Sequence, residues 1–246
     1  MGGGHKEEVV MTEIDISLEK LLEVGAHFGH QTRRWNPKMA PFIYGEKQGV
    51  HIFDLVKTRQ ALLEALSAIQ EAVKKGKIIL FVGTKKQVKE KLQKVAEQTG
   101  YPYVTNRWLG GTLTNFDQLQ KSIKKLAELK EKMQKGEYNQ LTKRERLLKT
   151  RLIKKLEDKF GGISKLTKLP DLLIIIDTHK ESGALTEALK KKIPVVGVVD
   201  SNADPTKVTW PIPMNDDATK ALDFVLSLIE QAITDARKGK KFKSKK

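Results

Sequence analysis

Three short runs of almost pure Ile, Leu, Val and Phe set the limits on this chain: Ile78-Ile79-Leu80-Phe81-Val82, Leu172-Leu173-Ile174-Ile175-Ile176 and Val195-Val196-Gly197-Val198-Val199. None of them alternates apolar with polar, so a strand built from any one must be covered on both faces. That is the mark of a parallel sheet held between two helical layers. The segments between the runs agree, with helical periodicity over about 54–75, 85–99, 181–192 and 216–237. Val50-His51-Ile52-Phe53 and Tyr103-Val104 are weaker strand candidates and bring the expected sheet to about five strands. Pro102, Pro170 and Pro194 fall just before strands, where a missing N–H is tolerated. The patterns Thr84-x-x-Gln87 and Thr178-x-x-Glu181 read as capping boxes, Asn215 precedes two acids that suit a helix N-terminus, and Gly76 and Gly100 read as helix stops. The sequence therefore predicts an α/β fold: a doubly wound, flavodoxin-like three-layer sandwich with a parallel sheet.

One segment breaks the rhythm. Phe116, Leu119, Ile123, Leu126, Leu129 and Met133 recur at spacings of three and four, and a turn at Gln134-Lys135-Gly136-Glu137 follows. A second helix opens at the capping box Thr142-x-x-Glu145 and carries Leu147, Leu148, Leu152, Ile153, Leu156 and Phe160. Each helix would be about 27–29 Å long at ~1.5 Å per residue. Matched lengths, a short turn and narrow apolar seams predict an antiparallel coiled-coil hairpin that projects from the sandwich. The expected organisation is an N-terminal extension over 1–16, disordered; a sandwich over 17–114 and 161–234; a projecting hairpin over 115–160; and a basic tail over 235–246 that orders on RNA.

Charge follows that organisation. The 246 residues hold 46 Lys or Arg and 30 Asp or Glu, a formal charge of +16. Residues 117–160 carry a surplus of 7 and residues 235–246 a surplus of 6, so most of the excess lies on the two appendages. Such a distribution is an electrostatic footprint for a polyanion. With no cysteine in the chain, disulfides, thiolate metal sites and cysteine nucleophiles are excluded. No run approaches the ~20 apolar residues of a membrane helix. The N-terminus lacks a signal-peptide core, and Lys6 stands where a myristoylation motif wants Ser or Thr.

Two loops combine cations with flat rings. His27 to Gly45 (HFGHQTRRWNPKMAPFIYG) carries Arg33, Arg34, Trp35 and Lys38, residue types suited to phosphates and unstacked bases. Asn106 to Phe116 (NRWLGGTLTNF) sets Arg107 beside Trp108 and two glycines. Either loop would also make sense as plain packing, and composition alone does not separate the two. The turn Gly83-Thr84-Lys85-Lys86 lacks a P-loop's G-x-x-x-x-G-K-[ST] pattern, and a tight turn capped by Thr84 is the plainer reading. Lys85 and Lys86 would still stand at a helix N-terminus, where a phosphate is favoured. Asp177 and Asp200 end apolar strands at the edge where such sheets bind ligands, yet turn and cap roles are the plainer reading. His30, Asp200 and either Asp216 or Asp217 form a candidate set for a structural zinc if their loops converge; no other cofactor is expected. No acid–base pair, nucleophile or cofactor fingerprint marks an enzyme, and no small-molecule substrate is expected.

The motifs HFGHQTRRWNPKMAPFIYG, ILFVGTKKQ, NRWLGGTLTNF, LPDLLIIID, IPVVGVVDSNADP and IPMNDDA occur in this order. Together they closely resemble the bacterial-type ribosomal protein S-two family of the small subunit, over roughly residues 17–232. The resemblance implies a flavodoxin-like sandwich with an inserted helical hairpin, and a structural, non-catalytic role in translation in the cytoplasm. It also implies contact with 16S-type ribosomal RNA between head and body, and a part in holding the messenger-binding ribosomal protein S-one near the mRNA exit. Carried over to matching positions, Arg33, Arg34, Trp35, Lys38, Arg107 and Trp108 are candidate recognition residues. On physical grounds the hairpin cations Lys121, Lys124, Lys125, Arg144, Arg146 and Arg151 are candidate phosphate contacts.

Overall fold

The computed structural model describes residues 13–14, 16–239 and 243–244; most of the N-terminal extension and several residues of the basic tail lie outside them. Along the chain come β1 (Glu13–Ile14), α1 (Leu18–Glu23), β2 (Phe28–Gln31), β3 (Ile43–Lys47), β4 (Val50–Phe53), α2 (Leu55–Lys74), β5 (Ile79–Val82), α3 (Lys86–Thr99) and β6 (Tyr103–Val104). Then follow α4 (Phe116–Gln134), α5 (Lys143–Phe160), β7 (Leu172–Ile175), α6 (Ser182–Lys190), β8 (Val195–Val199), β9 (Trp210–Pro213), α7 (Thr219–Arg237) and β10 (Lys243–Ser244). The main sheet has five strands in the order β6-β5-β7-β8-β9, all parallel. Counted along the chain this is the 2-1-3-4-5 order of flavodoxin-like sheets, with its switch point between β5 and β7.

The unbroken apolar runs become strands buried on both faces. Phe81, Ile174, Val196 and Ile212 face one core, closed by Leu66 and Ile69 of α2, Leu92 of α3 and Ile229 of α7. Their neighbours Leu80, Val82, Leu173, Ile175 and Val199 face a second core, closed by Ala184 and Ala188 of α6, the root of the hairpin and Phe53. The carbonyls of Pro102 and Pro194, one residue before β6 and β8, accept from Phe81 and Leu173 N–H at 3.0 Å each, so the prolines enter the ladder as acceptors only.

Several expectations need correction. Val50–Phe53 joins no parallel ladder; it is the centre of a separate antiparallel sheet in the order β2-β4-β3. The fifth parallel strand is β9, whose sequence Trp-Pro-Ile-Pro does not advertise a strand; it lies at the sheet edge, where prolines are tolerated. The Thr84 and Thr178 capping boxes do not form. Thr84 donates its N–H and hydroxyl to Glu181 Oε1 at 3.0 and 2.5 Å, so one buried carboxylate joins two turns that sequence assigns to separate local caps. The Thr142 capping box is present on α5, and Gly100 ends α3 in the left-handed conformation. Helix α7 runs through Arg237 with Asp235 and Ala236 buried, so the basic run leaves the domain later than its charge suggests. The two-residue strand β10 pairs in parallel with β1.

The hairpin returns to the sheet through Gly161-Gly162, pressed against β6. A Cβ on Gly162 would meet the Tyr103 carbonyl far inside contact distance, and its ring carbon Cδ2 at 2.8 Å. Gly162→Ala is expected to lower unfolding stability by about 1–3 kcal/mol, the usual range for overpacking. Gly110→Ala, with nothing within 4 Å of the added methyl, is the control and should stay within about 0.5 kcal/mol. Urea denaturation of the two variants measures both.

Candidate nucleic-acid interface

The carboxyl edge of the sheet is where a fold of this topology places its ligand. Here that edge is filled by the chain's own charges. The strand ends deliver Lys85 after β5, Asp177 after β7, Asp200 after β8, and Asp216 and Asp217 after β9. Lys85 Nζ lies 3.0 Å from Asp177 Oδ2, 2.6 Å from Asp216 Oδ1 and 2.7 Å from Asp217 Oδ1. Burial alone would lower the Lys85 pKa, but hydrogen bonds to Asp216 and Asp217, the Asp216 charge and a hydrogen bond to Asp177 raise it instead. Its ammonium is fixed inward, so Lys85 is not the phosphate contact expected from its place beside a helix N-terminus; Lys86, one residue on, is exposed. Burial raises the Asp216 pKa, helped by the charges of Asp200 and Asp177 and opposed by Lys85.

The stretch that begins at His27 is laid over this edge. His30 N–H donates to Ser201 Oγ at 2.8 Å, and Asn36 N–H to the Ser201 carbonyl at 2.7 Å. Gly29 sits so close that a Cβ there would lie 3.0 Å from Ser201 Oγ and 3.2 Å from the His51 carbonyl. His30 Nδ1 is 2.9 Å from Asp200 Oδ1, and Nε2 is 3.6 Å from Asp217 Oδ2. The Asp200 hydrogen bond raises the His30 pKa most strongly, with burial acting against it. The loops of the expected zinc set do converge, with Asp200 against the far side of the ring. Lys38 is exposed but bonded to Asp204 at 2.7 Å and to Thr206 at 3.3 Å. Arg33 and Arg34 are exposed, with Arg33 Nε donating to Gln31 Oε1 at 2.9 Å, and Trp35, tilted by 41° against the His51 ring with centroids 4.9 Å apart, keeps 38% of its surface exposed.

The second loop is organised from inside by one acid. Glu187 of α6 accepts from the Trp108 indole at 3.0 Å, from Gly111 N–H at 2.8 Å, from Leu113 and Thr114 N–H at 2.9 and 3.0 Å, and from the Thr114 hydroxyl at 3.1 Å. Trp108 is thereby a half-buried anchor of the loop, while Arg107 is exposed. Sequence reading passed over Glu187, although it carried a signal: an acid on the face shared by the buried Ala184 and Ala188.

The loop hands the chain to the hairpin. At its root Leu119, Leu126, Ile153 and Phe160 are buried against the second core. Between Leu126 and Ile153 no residue is buried, so the far part of both helices stands in solvent. Lys130 pairs with Glu157 across the two helices. Lys121, Lys124, Lys125, Arg144, Arg146 and Arg151 are all exposed, and among the described residues none of their charged groups has a carboxylate partner. Here the free cations gather.

The profile of the ribosomal protein S2 family matches residues 21–236, the sandwich and hairpin together. The chain belongs to that family. It is 47% identical over 225 residues to the small ribosomal subunit protein uS2 of Coprothermobacter proteolyticus, covering 92% of this chain and 84% of that one. It is 50% identical over 219 residues to the uS2 of Rhodospirillum centenum, covering 89% and 84%, and 46% identical over 226 residues to that of Cytophaga hutchinsonii, covering 92% and 89%. The S2 family is a structural, non-enzymatic family of the ribosome, and the edge explains how a fold shared with many enzymes serves it. Asp177 and Asp200 are buried and turned to internal partners, Lys85 for the first and His30 and Ser201 for the second. No helix among the described residues is long and apolar enough to cross a membrane.

Burial alone would raise the Glu187 pKa, but the hydrogen bonds of Thr114, Trp108, Leu113 and Gly111 outweigh it and hold the carboxyl below the usual carboxylate range. A depressed folded-state pKa stabilises above the unfolded value and is lost as pH falls through the folded value. Glu187→Gln is therefore expected to cost about 2–3 kcal/mol at neutral pH, as for hydrogen bonds to a buried charge. The gap to the parent should narrow once the pH drops below about 4.3, the unfolded glutamate value, and parallel denaturation curves at pH 7 and pH 3.5 test it.

Proposed function

We propose that this chain is a structural component of the small ribosomal subunit that docks on 16S-type ribosomal RNA with the hairpin as its main electrostatic arm. The observation that carries this reading is the division of cations. Lys85 and Lys38 are held by acids of the chain itself, while the six hairpin cations stand exposed with no carboxylate within ion-pair distance among the described residues. A cation with no partner at home is available to release counterions from a phosphate backbone, which is the main source of affinity for nucleic acid. Arg33, Arg34, Trp35 and Arg107 add a second contact region on loops made rigid by the edge and by Glu187, so little order is lost on docking. Trp35 offers a plane on which an unpaired base can stack; Trp108, tethered to Glu187 through its indole N–H, holds the loop that carries Arg107. The role calls for no cofactor and places the protein with ribosomal RNA and other ribosomal proteins in the cytoplasmic ribosome.

Protein neighbours fit the same arm. Leu147, Leu148 and Leu152 of α5 and Met133 of α4 are exposed apolar residues among the charges, and such a stripe supports a protein contact beside the RNA. We include the messenger-binding ribosomal protein S-one among those neighbours, as the family resemblance implies.

Binding to small-subunit RNA should fall steeply with salt. If about six phosphates are neutralised, log K against log[salt] should have a slope of about −4 to −5. Changing Lys121, Lys124, Lys125, Arg144, Arg146 and Arg151 to Gln together should flatten the slope and lower incorporation into subunits, with unfolding stability within about 1 kcal/mol of the parent because all six are exposed. Filter binding across a salt series and gradient sedimentation read out both. A slope unchanged by the six substitutions would remove the hairpin from the interface.

A further inference from the structure

The charges that close the carboxyl edge come from the ends of β5, β7, β8 and β9, and β6 contributes none of them. A cleft of about 420 Å³ opens just beyond β6, between α3 and the root of the hairpin. That size falls within the ~300–1,000 Å³ of small-molecule sites, and the carboxyl end of a strand is where a doubly wound sheet receives its ligand. Its lining is polar and cationic. Lys89 comes from α3, Arg107 from the loop after β6, Lys130 from α4 and Lys159 from α5, against the acids Glu157 and Asp158. Lys130 is paired with Glu157 across the hairpin. Lys89, Arg107 and Lys159 have no carboxylate within ion-pair distance among the described residues, so three cations from three elements line one cleft with only Asp158 to offset them. The walls are already held. Asn106 accepts from Lys89 Nζ, a neutral partner that leaves the ammonium charge uncompensated, and donates to the Asp158 carbonyl at 2.6 Å. Tyr103 donates its hydroxyl to Glu97 at 2.9 Å, and Gly161 and Gly162 line the cleft with backbone alone.

We propose that this cleft binds a small phosphate monoester of nucleotide size, with Lys89, Arg107 and Lys159 meeting the phosphate and Tyr103 and Gln93 meeting the organic part. A phosphate monoester carries a charge of about −1.5 to −2 at neutral pH and three strong acceptor oxygens, which suits three cations better than a single carboxylate does. The planar fork of Arg107 can take two of those oxygens while the lysines act as point charges. A half-buried tyrosine ring and an amide offer a face and hydrogen bonds to the rest of such a molecule. Because Asn106 and Tyr103 are tethered before anything binds, little order is lost on binding. The molecule is a ligand here and not a substrate. The inference does not rest on the RNA-docking reading: Lys89, Lys159 and Gln93 are outside the residues assigned to RNA, and Arg107 alone is shared.

The test uses the full-length protein at low ionic strength, with adenosine 5′-monophosphate as the probe. Isothermal calorimetry should give one molecule per chain, inorganic phosphate should compete, and adenosine should bind at least ~10-fold more weakly. Lys89→Gln and Lys159→Gln should each weaken binding about 10-fold, as loss of one charge-assisted hydrogen bond does. Asp158→Asn should strengthen it about 2- to 5-fold by removing the acid that no cation offsets. Lys190→Gln, at an exposed position of α6 outside the lining, should leave it unchanged and so separates a built site from general attraction to a basic protein. All four side chains are exposed or half-buried, which keeps folding out of the comparison. Failure to saturate at one molecule per chain overturns the proposal, as does an affinity undiminished by both Lys89→Gln and Lys159→Gln, or one lowered equally by Lys190→Gln. An oligonucleotide without a terminal phosphate that competes as well as the monophosphate also overturns it, because the cleft then reads a nucleic-acid backbone.

Discussion

The contact of Lys85 with three aspartates is the interaction on which the rest of this structure turns. Asp177 arrives just after β7 and Asp216 and Asp217 from the loop after β9, so the ammonium, itself just after β5, ties β5, β7 and β9 together at their carboxyl ends. Breaking one arm of such a buried network leaves an uncompensated carboxylate, which costs several times more than a surface pair contributes. In a doubly wound enzyme this crevice must stay open for a ligand. Here it is closed by the chain's own charges, and His30 and the Ser201 bonds lay the N-terminal sheet across what remains. The topology of a nucleotide-binding fold is kept while its binding place becomes a structural joint.

The hairpin is held at its root, which is fixed twice. Leu119, Leu126, Ile153 and Phe160 bury into the second core, and Glu187 gathers the loop that leads into α4 through four N–H groups and a hydroxyl. Beyond Leu126 the helices depend on each other and on local bonds such as the Thr142 capping box. The apolar pattern of α5 is broader than the root requires, and Leu147, Leu148 and Leu152 are left uncovered by the chain itself.

Much of this was legible in the sequence, and the failures share a cause. The three apolar runs became central strands because a residue buried on both faces has no alternative. The helices were legible from periodicity, and the hairpin from matched lengths and a turn. What misled was local chemistry satisfied at long range. Thr84 and Glu181 look like members of two capping boxes, yet they bond to each other across 97 positions. Val50–Phe53 has a strand's composition, but nothing local says which sheet it joins. Trp210–Pro213 is a strand by virtue of its neighbour Val196–Val199, not of its own residues. At the candidate site, Arg33, Arg34 and the hairpin cations were readable as charge, whereas the inward turn of Lys85 was not. A lysine beside a helix N-terminus looks the same on paper whether phosphate or aspartate awaits it.

The distribution of sign is the last step. Asp177, Glu181, Glu187, Asp200, Asp216 and Asp235 are buried, and no lysine or arginine among the described residues is. The chain has used acids as its internal connectors, because a short carboxylate can accept several N–H bonds from converging loops without a long flexible stem. Each acid drawn inward no longer offsets a cation at the surface. The formal total stays at +16, but part of its negative share lies inside while the cations remain at the surface. Charge counted along a chain does not show this. The fold separates the two signs, drawing acids into its interior and leaving the hairpin cations exposed.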